Sequence, residues 1–333
     1  MEWERIFRHY PAPSRPVTPP RPLGGGLSGA RVWRIETAGG PKIVRRHAAH
    51  YPDRKQLTWL HRTLRRLDEL GWRVTPLPLD TQQGRTWVHE AGHLWEIVDL
   101  VPGSGEWVER RCVSLLWEAC RRLARFHQVA RSLQPQPGRA VNARAGPPRS
   151  MVRRIEWLDQ YHTSRTALQQ AVAGVPKPHW RRAAEAALEE LDRHAAPLRD
   201  QLRSLAARPW PCQVVMRDLR AEDVFFDGRR FGGFVDFTAL GHDTCLADLA
   251  RLVGTTDWTG LSWERARAAY ESVARLDGGL HELELFDRAT RLCALKNWLV
   301  WTLLEQRSFA PPRVAFARIA RLLDRPSIAV TDA

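Results

Sequence analysis

The hydrophobic positions of this chain change period near residue 107. Before it, short stretches alternate with a period of two. RVWRIET (31–37) sets Val32, Trp33 and Ile35 among polar residues, Gly39-Gly40-Pro41 makes a turn, and KIVRRH follows as a further strand. One helix interrupts these strands over 53–70. Leu57, Leu60, Leu64 and Leu67 form one stripe, Arg62, Arg65, Arg66 and Glu69 lie opposite, and Gly71 ends it. TWVHE and HLWEIVDLV, separated by Ala91-Gly92, read as a hairpin, and PGSG at 102–105 breaks the pattern. Beyond 107 the helical period takes over. A Pro- and Gly-containing loop is expected at 135–148, helices at roughly 150–172 and 179–206, and further helix to about 324. A small β unit at 213–237 is set into this helical region. QVVM reads as a strand, RDLRAED as a charged loop, and VFFDGRRFGGFVDF as a hairpin turning at Asp227-Gly228.

A chain of 333 residues is too long for one ordinary core. The pattern divides it into a Pro-rich, extended lead-in at 1–22, a small β-rich lobe at 23–103 and a larger helical lobe at 104–333. The most apolar helix candidate, LCALKNWLVWTLL, is interrupted by Lys296 and Asn297, and no run reaches the ~18 apolar residues of a membrane span. The first residues, MEWERIFRHYPAPSRP, carry no apolar signal-peptide core. A soluble, cytoplasmic protein is expected, with no membrane partner. The oligomeric state is not legible.

The net charge of +14 changes the picture only partly. Of the 51 basic residues, 47 are Arg, and their pairs are spread along the chain with no block of five like charges. A specific nucleic-acid surface is therefore not expected, although an anionic ligand suits this protein better than a polycation. The five Cys, at 112, 120, 212, 245 and 293, include no C-x-x-C pair, which argues against a disulfide framework or a Cys-based zinc site.

The candidate chemistry lies in the small β unit. Asp218, Asp223 and Asp236 fall at strand ends or loops that the pattern puts around one small sheet. Three converging carboxylates are costly without a cation. Phosphoryl transfer needs such a set: one carboxylate orients the attacking hydroxyl, and others hold Mg²⁺ against the phosphates. A rival motif is HEAGH at 89–93, which matches the H-E-x-x-H pattern of zinc hydrolases. That chemistry needs both His on one helical face, and the flanking β pattern and Gly92 argue against a helix there.

VVMRDLRAEDVFF and FVDF together resemble the catalytic loop and metal-binding Asp of the superfamily of aminoglycoside phosphotransferases, choline kinases and homoserine kinases, itself similar to protein kinases. DTCLADLARL resembles the family's G-D-P-x-x-D-L-A segment, LGGGLSGARVWRI its Gly-rich turn, KIVRR its third strand and LWEIVDLVPG its hinge strand. The resemblance runs from about 23 to 255 in the expected order. It implies an α+β, bilobal, protein-kinase-like fold with a small β-rich N-terminal lobe and a larger, mainly helical C-terminal lobe. It also implies an ATP- and Mg²⁺-dependent phosphotransferase acting on a small-molecule hydroxyl. Asp218 would then be the catalytic base, Asp223 and Asp236 the metal ligands, and Asp248 a support behind the loop. Gly24, Gly25, Gly26, Ser28 and Arg45 would grip phosphates, and backbone from Asp99 to Val101 would hold adenine.

The chain departs from the family pattern at named positions. Met216 replaces the usual loop His, Asp223 the usual Asn, and Thr238 a common Gly. The helix at 53–70 has no interior Glu to pair with Arg45 and offers Gln56 and His61. His127 is read as structural. These departures motivate an alternative, a kinase-like protein that binds a nucleotide or partner without turnover.

Overall fold

The computed structural model describes residues 2–23, 29–133, 146–258, 260–307, 309 and 314–325. Its N-terminal part is an antiparallel sheet in the order β1 (Arg21–Leu23), β2 (Arg31–Thr37), β3 (Gly40–Arg46), β5 (His93–Asp99) and β4 (Val88–Glu90). The expected hairpin at 88–99 forms, with Ala91 and Gly92 both at positive φ in its turn. Helix α2 (Arg54–Glu69) covers one face. Asp53 caps it with a reciprocal bond to Gln56, and Leu57, Leu60, His61, Leu64 and Leu67 turn inward.

The other face carries the first correction. Residues 1–22 do not form an extended lead-in, because Glu2–Phe7 is a helix, α1. Trp3, Ile6, Phe7 and Tyr10 recur at helical spacing, and Ile6, Phe7 and Tyr10 are buried against Ile35, Val44, Trp95 and Ile97 of the sheet. The Pro-rich stretch that follows had concealed this short stripe. With helices on both faces, five successive residues of β5, Leu94 to Val98, are buried.

The larger part is mainly helical. It contains α3 (Val113–Ala130), the long pair α4 (Arg149–Ala173) and α5 (Pro178–Ala206), α6 (Cys245–Gly254), α7 (Trp263–Glu271), α8 (Leu280–Leu299) and α9 (Val314–Leu323). The α+β class read from the sequence is the observed one. No helix among the described residues is long and apolar enough to cross a membrane.

The inserted β unit is not one sheet. β6 (Gln213–Val215) pairs with β9 (Gly241–Asp243), a strand the hydrophobic pattern did not reveal, and β7 (Val224–Asp227) pairs with β8 (Arg230–Phe234). The PGSG break is a contact point. Ser104 exchanges backbone bonds of 3.1 and 3.0 Å with Phe226. A Cβ on Gly103 would meet the Phe226 carbonyl carbon at 2.3 Å, and one on Gly232 the Pro102 oxygen at 2.0 Å. Only glycine permits this approach, which seats the segment after β5 directly on the β7–β8 hairpin.

Candidate active site

The loop after β6 is tied down from behind. Asp248, fully buried in the first turn of α6, accepts the N–H of Met216 at 2.7 Å and of Arg217 at 2.6 Å. His127 of α3 lies 3.0 Å from the same carboxylate through Nε2 and 2.8 Å from the Tyr270 hydroxyl through Nδ1. Burial pulls the His127 pKa down, but Cys245 and Asp248 outweigh that and hold it up at about 9. The loop therefore rests on the His127–Asp248 pair, which also takes the backbone N–H groups of residues 216 and 217. Arg217, at φ 65, sends its guanidinium to the carbonyls of Ala239 (2.5 Å) and Leu240 (3.3 Å), linking the loop to the segment that follows Asp236.

Asp218 projects from this platform with 59% of its side chain exposed. Arg251 of α6 grips a single oxygen, Oδ1, through Nη2 at 2.8 Å and Nε at 2.9 Å. Among the described residues Oδ2 accepts no bond, so it is the oxygen free to meet a hydroxyl.

Asp223 and Asp236 flank the β7–β8 hairpin, one just before it and one just after. Asp223 accepts the Arg220 N–H at 3.1 Å, and its carbonyl accepts the Val235 N–H at 2.9 Å. Burial, and then the neighbouring negative charge of Asp236, push its carboxyl up to about 7. Asp236 is 60% exposed and lies in the left-handed region at φ 58. Thr238, at the position where the family commonly has Gly, donates to Asp236 Oδ1 at 2.9 Å and receives Arg45 Nη1 at 3.1 Å.

The expected convergence of three carboxylates is corrected here. Among the described residues no three His, Cys, Asp or Glu side chains gather closely enough to hold a metal ion. Asp218 is neutralised by Arg251 instead, and the acids hang from two separate ladders. The remaining pair still fits Mg²⁺, which takes one or two protein carboxylates and completes its shell with water and phosphate oxygens.

Arg45 faces this pair from β3. Its Nη1 lies 3.5 Å from Asp236 Oδ1 and 3.8 Å from Glu96 Oε1. Sequence reasoning sought an acid for Arg45 on α2 and missed Glu96 of β5, which the strand register places directly opposite Arg45. The available signal was a lone Glu inside the apolar run LWEIVDLV. Lys42, three residues before Arg45 in the strand, lies on the other face, and its Nζ pairs with Asp99 at 2.8 Å. The Asp99 N–H is committed to the Leu77 carbonyl at 3.0 Å, and Val101 is buried. Gly24, Gly25, Gly26 and Ser28 lie outside the described residues. The HEAGH motif sits on a hairpin, where His93 bonds the His47 carbonyl through Nδ1 at 2.8 Å, and the helical face a zinc hydrolase needs does not exist.

Residues 20–286 match the model of the phosphotransferase enzyme family. No curated protein matches the sequence. Among solved structures the chain is similar to an aminoglycoside phosphotransferase from Alicyclobacillus acidocaldarius, with a TM-score of 0.63, 13% identity, and coverage of 97% of this chain and 92% of that one. It is also similar to an amicoumacin kinase in complex with AMP-PNP, Ca²⁺ and Ami (TM-score 0.61, 13% identity, coverage 91% and 88%). A third similar structure is a choline/ethanolamine kinase family protein from Mesorhizobium loti (TM-score 0.55, 18% identity, coverage 97% and 94%). At these identities the structural likeness concerns the fold.

Proposed function

The chain belongs to the phosphotransferase enzyme family, and on that premise we propose that it transfers the γ-phosphoryl group of ATP to a hydroxyl of a small molecule. The observation that supports this reading is Asp218 on a braced loop, with Oδ2 unbonded among the described residues, together with Arg45 at Asp236 on the β3 side. The acceptor oxygen attacks phosphorus, the bond to the bridging oxygen breaks, and ADP leaves. Asp218 orients the hydroxyl and takes its proton on Oδ2. Arg45 would hold phosphate oxygens together with residues of the Gly-rich turn, and hinge backbone from 99 to 101 would hold adenine. The nucleotide would sit between residues 23–103 and 104–333. Asp223 and Asp236 would hold Mg²⁺, which supplies neutralisation of phosphate charge when bound.

The charge around Asp218 bears on the acceptor. Besides Arg251, the half-buried guanidinium of Arg154 lies near enough for its charge to feel both Asp218 and Arg251. Among the described residues its guanidinium bonds neutral oxygens, those of Thr290 and the Ser150 carbonyl, while Asp243 also acts on its charge. This supports a neutral or anionic hydroxy compound over a polycationic aminoglycoside.

The Arg251 grip on Asp218 also favours a second reading, in which the protein binds nucleotide without turnover. Thermal unfolding with ATP and Mg²⁺ tests both readings. A nucleotide present at a hundred times its Kd adds about 2.7 kcal/mol and a clear rise in Tm. No shift at millimolar ATP would sink both. An ATP-consumption screen over a panel of hydroxyl metabolites then separates enzyme from binder.

A further inference from the structure

Glu96 is a charge that the proposed reaction leaves without a task. It lies in the middle of β5 and is 3% exposed. A carboxylate so placed persists only when paired and hydrogen-bonded. Three side chains from two other elements surround it with positive or polarisable nitrogen, and His61 supplies the hydrogen bond. His61 of α2 brings Nε2 to 2.5 Å from Oε2, His47 just after β3 brings Nε2 to 3.1 Å from Oε1, and Arg45 brings Nη1 to 3.8 Å from the same Oε1. His61 is fixed at its far side by Thr86 Oγ1, 2.6 Å from Nδ1. Burial pushes the Glu96 pKa up, but His47 and His61 outweigh it and hold the carboxyl well below the usual range.

Arg45 therefore stands between two acids of different character. In front, Asp236 is largely exposed, and its pull is screened by solvent. Behind, Glu96 is dry, bonded by the His61 imidazole and with His47 close beside it. The strand register sets Arg45 and Glu96 side by side, and His47, two residues after Arg45, shares their face.

We propose that Glu96 is a positioning residue for phosphate binding, holding Arg45 at the nucleotide cleft, and that His61 makes this hold depend on the placement of α2. A strand acid and a helix imidazole together replace the single helix acid that the chain lacks. The inference rests on the reading of Arg45 as the phosphate-gripping side chain. Arg45 Nη1 approaches both acids, so an arriving phosphate would take the place of Asp236 while the charge of Glu96 continues to hold the guanidinium. A shift of α2 would break the His61 bond and loosen both partners.

A buried ion pair that serves stability alone would look the same in the resting protein, so the test compares ligands with and without phosphates. Dissociation constants for adenosine, ADP and ATP with Mg²⁺ are measured by calorimetry on the full chain and on Arg45→Ala, Glu96→Gln, His61→Gln and the Arg45→Ala/Glu96→Gln double variant. The expected result is a loss of roughly tenfold for ADP and ATP in Glu96→Gln, adenosine affinity unchanged, and a double variant no weaker than Arg45→Ala. His61→Gln should show a smaller loss with the same selectivity. Equal weakening of adenosine and ATP in Glu96→Gln would overturn the proposal in favour of a structural role. So would wild-type ATP affinity in Glu96→Gln when Arg45→Ala binds poorly, and that outcome would leave the proposed function standing. Wild-type ATP affinity in Arg45→Ala would instead remove the reading of Arg45 on which the inference rests. If Glu96→Gln does not fold, His61→Gln decides: a phosphate-selective loss supports the proposal, and a uniform loss or none overturns it.

Discussion

Arg251 and Asp218 meet through a single oxygen. Both Nη2 and Nε of the guanidinium bind Oδ1, at 2.8 and 2.9 Å, and Oδ2 is left without a partner among the described residues. The pair spans 33 residues of sequence and joins the loop after β6 to the last turn of α6. It gives Asp218 an orientation that an exposed loop carboxylate would otherwise lack.

On the proposed reading, in which Oδ2 would meet the acceptor and not the nucleotide, Asp218→Asn should keep ATP affinity while turnover falls by roughly 10²–10⁴. Arg251→Ala should retain the base but lose its aim, with a smaller drop of about tenfold in kcat. Steady-state kinetics on an acceptor found by screening gives both numbers. Unchanged turnover in Asp218→Asn would end the catalytic reading.

Asp223 makes stability depend on pH in a direction opposite to that of most carboxylates. Its folded pKa, at about 7, is above the value of 3.8 in the unfolded chain, because burial and then Asp236 disfavour its charged form. The folded protein thus binds the extra proton between those values, and stability falls as pH rises from about 4 to about 7, by an amount on the order of a few kcal/mol. Asp223→Asn should raise the Tm of the nucleotide-free protein at pH 8 and change it little at pH 4. Thermal unfolding across that range checks the sign. The same substitution should be tolerated in activity, since Asn is also an oxygen ligand, and a collapse of activity with folding intact would show a specific role for the carboxylate.

Asp236→Ala should abolish the Mg²⁺-dependent part of ATP binding, because it removes the exposed partner of the Asp223–Asp236 pair. Calorimetric titration of ATP with Mg²⁺ and with EDTA should then give the same Kd in the variant and different values in the wild type. Retention of the Mg²⁺ effect would move the metal site elsewhere.

Much of the fold was legible locally. The period-two pattern of 31–37, the leucine stripe of α2, the Asp227-Gly228 turn and the order of the charged loops all depend on residues within a few positions of each other. The hydrophobic pattern therefore determined a β-rich part followed by a helical one and most of their elements, and the motif around Asp218 and Asp236 pointed to the region of the candidate site. Tertiary structure decided what lies opposite what. Glu96 faces Arg45 only because β3 and β5 pair in one particular register, and a slip of one residue would turn Glu96 to the other face of the sheet. Arg251 reaches Asp218 only because α6 packs beneath the loop, with Asp248 accepting its backbone. β9 pairs with β6 across a separation no periodicity encodes, and it divides the three carboxylates between two ladders. Helix α1 was within reach of pattern reading, yet its partner face on β5 became visible only when the strand proved to be buried on both sides. Side-chain periodicity records which face of an element is dry, while the identity of the neighbour on that face comes from contacts distant in sequence.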